Sequence, residues 1–364
     1  MDKLIKILVV SDYNKRVSSR PEAEMFIKLA NDPRFRISVM TYPGSYYYGK
    51  FRDAGIEVID FHPDKKLDKK EVEFIRNDIM KKGYDIIHLF NGKAIINGLK
   101  AARGLKVKVV LYRGYTGNIH WYDPAAYLKV LSPRVDKVMC NSQSVKDQID
   151  RQLFFDKTKT VVITKGHDHQ WYSDIKPADL AEFGIGQDEF VVTTTADGRK
   201  MKGTEYLLRA FELMPPGLNI RLLIMGGGEE FIRKFSGRIK KNANKVIFTG
   251  FRQDNLDIMS SCDVFISPSI KGESFQKSVA EAMNLGVCPV ITDIPGNEGM
   301  VIDKKCGLII PSRDAVAIKD ALLDLYSDRA RCREFAKAAK KHISENFSLD
   351  KTVDTLAGFY QSLV

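Results

Sequence analysis

Two glutamates eight residues apart, Glu273 and Glu281, form the chain's most chemically suggestive spacing. They lie in Ser267-Pro268-Ser269-Ile270-Lys271-Gly272-Glu273-Ser274-Phe275-Gln276-Lys277-Ser278-Val279-Ala280-Glu281-Ala282-Met283. The pattern predicts a buried strand ending at Ser267-Pro268, a loop, and a helix that begins near Phe275 and carries Glu281 about two turns in. Amides at a helix N-terminus attract a diphosphate. A carboxylate beside them can accept hydrogen bonds from sugar hydroxyls. The same residues also fit a plainer arrangement, in which Glu273 caps the helix and Glu281 faces solvent.

Such residues are useful only if a scaffold positions them. The first half of the chain repeats one unit, a short apolar run followed by a loop and a helical pattern. Strands are expected at 4–10, 37–41, 56–60, 86–90, 107–112, 137–141 and 160–164, with amphipathic helices that include 22–30, 70–82 and 144–153. The pattern then restarts. Strands are expected at 190–195, 221–225, 246–249, 264–268, 288–292 and 307–310, and helices at 204–214, 231–243, 275–285, 315–327, 329–346 and from 349 onward. Strands alternating with helices mean a parallel sheet covered on both faces. The fold class is therefore α/β, with two Rossmann-like, doubly wound domains. The join falls between Gly166 and Phe183, giving an N-terminal domain over 1–168 and a second over 169–346. The last helix, 347–364, is expected to pack back on the first domain. Ligands of such sheets bind outside the carboxyl ends of the strands.

Bulk composition agrees. A chain of 364 residues, 44% hydrophobic, exceeds the roughly 250–300 residues of a single core. No apolar run reaches the ~18 residues of a membrane span, and the short run after Lys6 reads as a buried first strand rather than a signal peptide. Five cysteines without metal-ligand or redox spacing suggest buried thiols in a reducing cytoplasm. The net charge of +11 is one-sided: residues 1–170 hold 31 Lys and Arg against 20 Asp and Glu, and residues 171–364 hold 26 of each. That excess suits an anionic partner or a well-solvated lysine-rich surface.

The second half as a whole resembles retaining glycosyltransferase family 4, which has the GT-B fold of two such domains facing across a cleft. The Glu-x7-Glu pattern is followed by Asn284-Leu285-Gly286-Val287-Cys288-Pro289-Val290, then Ile294-Pro295-Gly296-Asn297-Glu298, then Gly307-Leu308-Ile309-Ile310-Pro311. All resemble family landmarks in their order. Asp197-Gly198-Arg199-Lys200-Met201-Lys202-Gly203 resembles the loop that grips the donor diphosphate, so Arg199 and Lys202 take that role, with Lys200 able to replace either. Two cations there neutralise a departing diphosphate as its charge builds. Met225-Gly226-Gly227-Gly228-Glu229 resembles the glycine turn beside the nucleotide, and Thr249-Gly250-Phe251-Arg252 the segment that reads its base. The resemblance implies ribose contacts from Glu281, donor-sugar contacts from Glu273, and diphosphate contacts around Ser274, Phe275 and Gln276. Gln276 departs from the family, which often has glycine there, so its side chain would crowd or select the donor. Lys277 is a further candidate for a phosphate contact.

The first half matches less closely. Asp85-Ile86-Ile87-His88-Leu89-Phe90 resembles a family strand in which His88 is structural. The family's Gly-Gly loop is replaced by residues 11–20, where Ser18, Ser19 and Arg20 precede Pro21, a good first helical residue. Near the family's usual histidine stands Arg113, in Arg113-Gly114-Tyr115-Thr116-Gly117-Asn118-Ile119-His120-Trp121-Tyr122. This polar, aromatic segment is the expected acceptor site, with Arg113, Asn118, His120 and Arg20 as candidates; His120 equally fits a plain loop histidine. Tyr46-Tyr47-Tyr48-Gly49-Lys50-Phe51-Arg52 suits a membrane surface or a loop tip with packed tyrosines.

The expected activity is retaining, metal-independent transfer from a UDP- or GDP-sugar to a glycan or lipid-linked acceptor in bacterial surface-glycan synthesis. It would take place in the cytoplasm or at the inner face of its membrane, with no resident cofactor or metal. No Asp-x-Asp occurs anywhere in the chain. Two alternatives share the fold: a nucleotide-sugar 2-epimerase, and a non-catalytic binding subunit. Nucleic-acid binding is not expected, for want of a helix-turn-helix, zinc or RNA-binding motif.

Overall fold

A computed structural model describes residues 3–364 except Asn118 and Phe155, and the backbone alone of Lys157. Two compact units emerge: residues 1–166 with 349–364, and residues 167–348.

The first unit is built on a seven-stranded parallel sheet of order β3-β2-β1-β4-β5-β6-β7. Its strands are β1 (Ile5–Val10), β2 (Phe35–Thr41), β3 (Glu57–Asp60), β4 (Ile86–Leu89), β5 (Lys108–Arg113), β6 (Lys137–Cys140) and β7 (Thr160–Val162). The helices between them are α1 (Arg16–Leu29), α2 (Tyr48–Asp53), α3 (Lys69–Lys82), α4 (Gly92–Ala101) and α5 (Gln143–Asp150). Local chemistry sets their ends. Asp68 caps α3 by accepting from the amides of Lys70 and Glu71, and Gly83 ends it in the left-handed region.

The second unit has six parallel strands in the order β10-β9-β8-β11-β12-β13. They are β8 (Phe190–Thr195), β9 (Ile220–Met225), β10 (Val246–Gly250), β11 (Val264–Ser267), β12 (Cys288–Thr292) and β13 (Leu308–Ile310). The helices are α6 (Thr204–Glu212), α7 (Glu229–Ser236), α8 (Asn255–Ser260), α9 (Lys277–Leu285), α10 (Ala315–Ser327) and α11 (Arg329–Asn346). Alternate residues feed opposite cores: Phe190, Val192, Leu222 and Ile224 on one face, Val191, Leu223 and Met225 on the other. Both faces being buried explains the near-continuous apolar strands.

The last helix, α12 (Leu349–Gln361), belongs to the first unit and packs on α1. It carries Tyr360 into the interior, where the hydroxyl meets His88 Nδ1 at 2.5 Å. His88 on β4 is thus a structural histidine, fully buried.

Three expectations need correction. Helix α1 begins at Arg16, so Pro21 is internal, and Ser18, Ser19 and Arg20 stand on the helix rather than in the loop. The missing Pro21 amide is tolerated because its would-be acceptor belongs to Val17, a residue 58% exposed and open to water. Helix α7 stops at Ser236, ahead of Gly237, instead of reaching 243. Helix α9 begins at Lys277, so Glu281 lies little more than one turn in.

Burial, reinforced by the positive charge of Lys165, lowers the His88 pKa to about 3. The unfolded chain binds this proton below its ordinary pKa of about 6.5, and the folded chain does not until about 3. Stability should therefore fall with decreasing pH across that window by up to about 1.4 kcal/mol per pH unit from this residue. In His88→Gln, urea unfolding at a series of pH values should show that part of the slope removed.

Candidate functional site

The site of the second unit is assembled from loops at the carboxyl ends of its strands. After β8 the chain runs through Asp197 and Gly198 to a 3-10 turn, Lys200–Lys202, and then Gly203. After β11 it runs from Pro268 to Gln276. A backbone bond joins the two loops, the Ile270 amide donating to the Met201 carbonyl at 2.8 Å. Gly203 has φ +66°, and a Cβ there would lie 1.9 Å from the Pro268 carbonyl oxygen. Glycine is required by both the conformation and the close approach.

This contact brings charge together. Lys202 Nζ lies 2.8 Å from Glu273 Oε1, and the two side chains are 18% and 12% exposed. Ser269 Oγ donates to the same carboxylate oxygen at 2.8 Å. Glu273 is held by a cation and a hydroxyl from separate loops, and does not serve as a helix cap. A third loop closes on it: a Cβ on Gly296 would come within 2.3 Å of the Glu273 carbonyl oxygen. That loop turns back through the Gly296 amide, which donates to Glu298 Oε2 at 2.7 Å.

Glu281 is buried, and Lys277 pairs with it one turn earlier on α9. Gln276 does not project toward a ligand. Its side chain, 4% exposed, accepts from Ser267 Oγ at 2.6 Å and donates to Asn297 Oδ1. Asn297 in turn donates to the Thr292 carbonyl at 2.7 Å. The Gln276 amide faces the Met300 sulfur at 3.4 Å. The expected crowding of the donor is corrected: a buried polar chain, Ser267–Gln276–Asn297–Thr292, draws the side chain inward and ties the loop after β12 to the end of β11. Phe275 packs between His167 and Phe347, its ring centroid 6.0 and 5.3 Å from theirs. Ser274 lies against Gly296.

Arg199 is 60% exposed at its side chain and pairs with Asp197, Nε to Oδ2 being 2.8 Å. Burial raises the Asp197 pKa, but hydrogen bonds from the Arg199 side chain and amide outweigh it and hold the carboxyl below its ordinary range. Gly227 lies under the Phe231 ring. Phe251 is 81% exposed, and Arg252 is clamped by Asp254 and Glu182 at 2.7 and 2.9 Å. Of the residues singled out in this half, the structure therefore joins Lys202 with Glu273, holds Glu281 one turn into α9, and gives Arg199 and Arg252 acidic partners in their own neighbourhoods. Sequence reasoning missed Ser269, Asn297 and Asp197. The last was legible as an acid two residues before Arg199; the other two carried no signal.

In the first unit, Arg113 ends β5 and folds over its own loop. Its Nε donates to the Tyr115 carbonyl at 2.9 Å, and its guanidinium lies 3.5 Å from the Tyr115 ring centroid. His120 stacks on Tyr122 at 5.0 Å. Asn118 lies outside the described residues. Arg20 is on α1, after a different strand. Unanticipated is a buried ion pair, Lys165 Nζ to Glu22 Oε2 at 2.7 Å, with Lys165 also 3.8 Å from the Tyr112 ring centroid. Among the described residues no group of three or more His, Cys, Asp or Glu could hold a metal ion.

Two family models match the chain: "Glycosyl transferases group 1" over residues 176–342 and "Glycosyltransferase Family 4" over residues 33–171. The UDP-Gal:alpha-D-GlcNAc-diphosphoundecaprenol alpha-1,3-galactosyltransferase of Escherichia coli is 24% identical over 320 residues, spanning 82% of this chain and 80% of that one. The lipopolysaccharide core biosynthesis mannosyltransferase LpsB of Rhizobium meliloti is 29% identical over 247 residues, 65% of this chain and 68% of its own. The crystal structure of Anabaena HepE in complex with UDP matches with a TM-score of 0.79 at 19% identity, covering 98% of this chain and 100% of that one. At that identity the likeness shows the fold.

The seat of Gly203 against Pro268 should be intolerant of any side chain. Gly203→Ala is expected to lose roughly 1–3 kcal/mol of stability, whereas Gly49→Ala, with nothing within 4 Å of its Cβ, should change it by less than about 0.5 kcal/mol. Denaturant titration of both variants tests this.

Proposed function

The chain belongs to glycosyltransferase family 4, and from that premise we propose that it transfers a sugar from a nucleotide-sugar donor, with retention and without a metal, to a lipid-linked or surface glycan. The observation that carries this reading is the Lys202–Glu273 pair, a cation and a carboxylate prepositioned where the resemblance puts the diphosphate and the donor sugar. In the proposed complex the diphosphate takes Lys202, with Arg199 swinging from Asp197 to join it. Glu273 is then released to accept hydrogen bonds from sugar hydroxyls. Glu281, steadied by Lys277, accepts from the ribose hydroxyls, while the α9 N-terminus and the segment 274–276 face the diphosphate. The loops at Gly227 and 250–252 border the nucleotide.

Chemistry then needs little beyond placement. The bond between the anomeric carbon and the diphosphate oxygen breaks, and the charge of the departing oxygen is neutralised by Lys202 and Arg199. The acceptor hydroxyl oxygen bonds to the same face of that carbon, and its proton passes to the leaving phosphate oxygen. Glu273 orients the donor and forms no covalent bond. Arg113, His120, Arg20 and Asn118 are the proposed acceptor contacts in the basic first unit. No helix among the described residues is long and apolar enough to cross a membrane. In the proposed reaction a lipid-linked acceptor is met at the bilayer surface, on the cytoplasmic side. The named substrate of the E. coli relative, a diphosphoundecaprenol-linked sugar, supports that choice, and the UDP held by HepE favours UDP as the donor nucleotide.

The first experiment is a thermal-shift screen of nucleotides and nucleotide-sugars in EDTA. A ligand at 100 times its Kd should add about 2.7 kcal/mol of stability. That gain should disappear in Glu281→Ala. Lys202→Ala should lower kcat/KM on the order of a hundredfold or more. An NMR assignment of an inverted anomeric centre in the product would exclude the retaining reading, and turnover of the donor without acceptor would turn it toward an epimerase.

A further inference from the structure

We infer that the first unit carries a bilayer-docking patch formed by Trp121, Tyr122, Tyr127, Leu128 and Phe154, which seats in the interfacial zone of an anionic membrane. All five side chains are exposed, from 41% for Tyr127 to 65% for Tyr122 and Phe154. The four aromatic residues are joined by contact, and Leu128 follows Tyr127 in the chain. The Trp121 ring lies edge-on to Phe154 at 5.4 Å and to Tyr122 at 5.7 Å. The Tyr127 hydroxyl donates to the Trp121 carbonyl at 2.9 Å, and the Trp121 amide donates to Gln152 Oε1 at 3.0 Å. These bonds fix two separate segments, 120–128 and 152–154, into one surface.

Isolated exposed apolar residues are ordinary, but a connected group of large rings marks a contact surface. Its composition selects the partner. Tryptophan and tyrosine concentrate at the water–lipid boundary, where an apolar ring and a polar tip are both accommodated. The acids at its edge are drawn into local turns: Asp123 Oδ1 accepts from the Ala125 amide and Asp156 Oδ1 from the Thr158 amide, each at 2.9 Å. Arg151 and Lys129 flank the patch, and residues 1–170 carry the whole positive excess of the chain, the sign that an acidic leaflet attracts. The stretch 46–52 is not this surface, because Tyr47 and Phe51 are packed into the core at 1% and 0% exposure. The inference rests on the proposed transfer reading only in taking a bilayer as the occupant.

The chain has two tryptophans, Trp121 and Trp171, so in Trp171→Phe the emission reports on the patch alone. With vesicles containing phosphatidylglycerol, Trp121 emission should shift to the blue and be quenched by chain-brominated lipid. The double variant Tyr122→Ser, Leu128→Ser should partition on the order of tenfold more weakly, with its nucleotide thermal shift intact. Three outcomes would overturn the inference: no vesicle binding, binding with unchanged Trp121 emission, or a blue shift that rises with protein concentration in the absence of vesicles. Vesicle binding by a protein that transfers no sugar would reject the transfer reading alone. Transfer to a water-soluble acceptor without vesicle binding would reject the patch alone.

Discussion

The approach of Gly203 to the Pro268 carbonyl is the constraint on which the site of the second unit depends. It lets two loops from β8 and β11 share a backbone hydrogen bond, and only then can Lys202 reach Glu273. Burying such a pair contributes little net stability, because desolvation offsets most of the attraction. Breaking it without replacing either partner is far more costly. A ligand that offers an anion to Lys202 and hydroxyls to Glu273 replaces both partners at once. The pairing holds the two groups in place, and under the proposed transfer reading it would favour a ligand with both features.

Gln276 shows how a departure from a family pattern can be absorbed. Here the longer side chain completes a chain of hydrogen bonds from Ser267 to Thr292, and the loop carrying Gly296 is fixed against Glu273 from behind. A comparable role falls to the Lys165–Glu22 pair in the first unit, which joins the end of the unit's main segment to α1 beneath the rings of Tyr112 and Phe90.

Much of this architecture was legible in the sequence. All thirteen strands of the described residues fall on expected runs; most are buried on both faces, where parallel strands lose the alternation that makes exposed strands ambiguous, while the edge strands β3 and β10 are only partly buried. Helix starts were harder to read. Pro21 looked like a first helical residue, yet the exposed turn before it tolerates a missing amide; α9 starts two residues later than Phe275, which is held instead by His167 and Phe347. The six-residue helices α2 and α8 are too short to show a period. In the site, Glu273, Glu281, Arg199 and Lys202 stood out by spacing and resemblance. The partners that hold the surrounding loops did not: Ser269 on Glu273, Asn297 on Gln276 and Glu182 on Arg252 come together only through tertiary structure.

The placement of α12 has a consequence for how the chain comes off the ribosome. The second unit is one continuous stretch, inserted between the two pieces of the first. It can complete its core while the first unit, begun earlier, still lacks Tyr360 against His88 and the cover that α12 gives α1. The part made first is therefore finished last, and until synthesis reaches the final helix the β4 histidine and the face of α1 stay open to chaperones and to water.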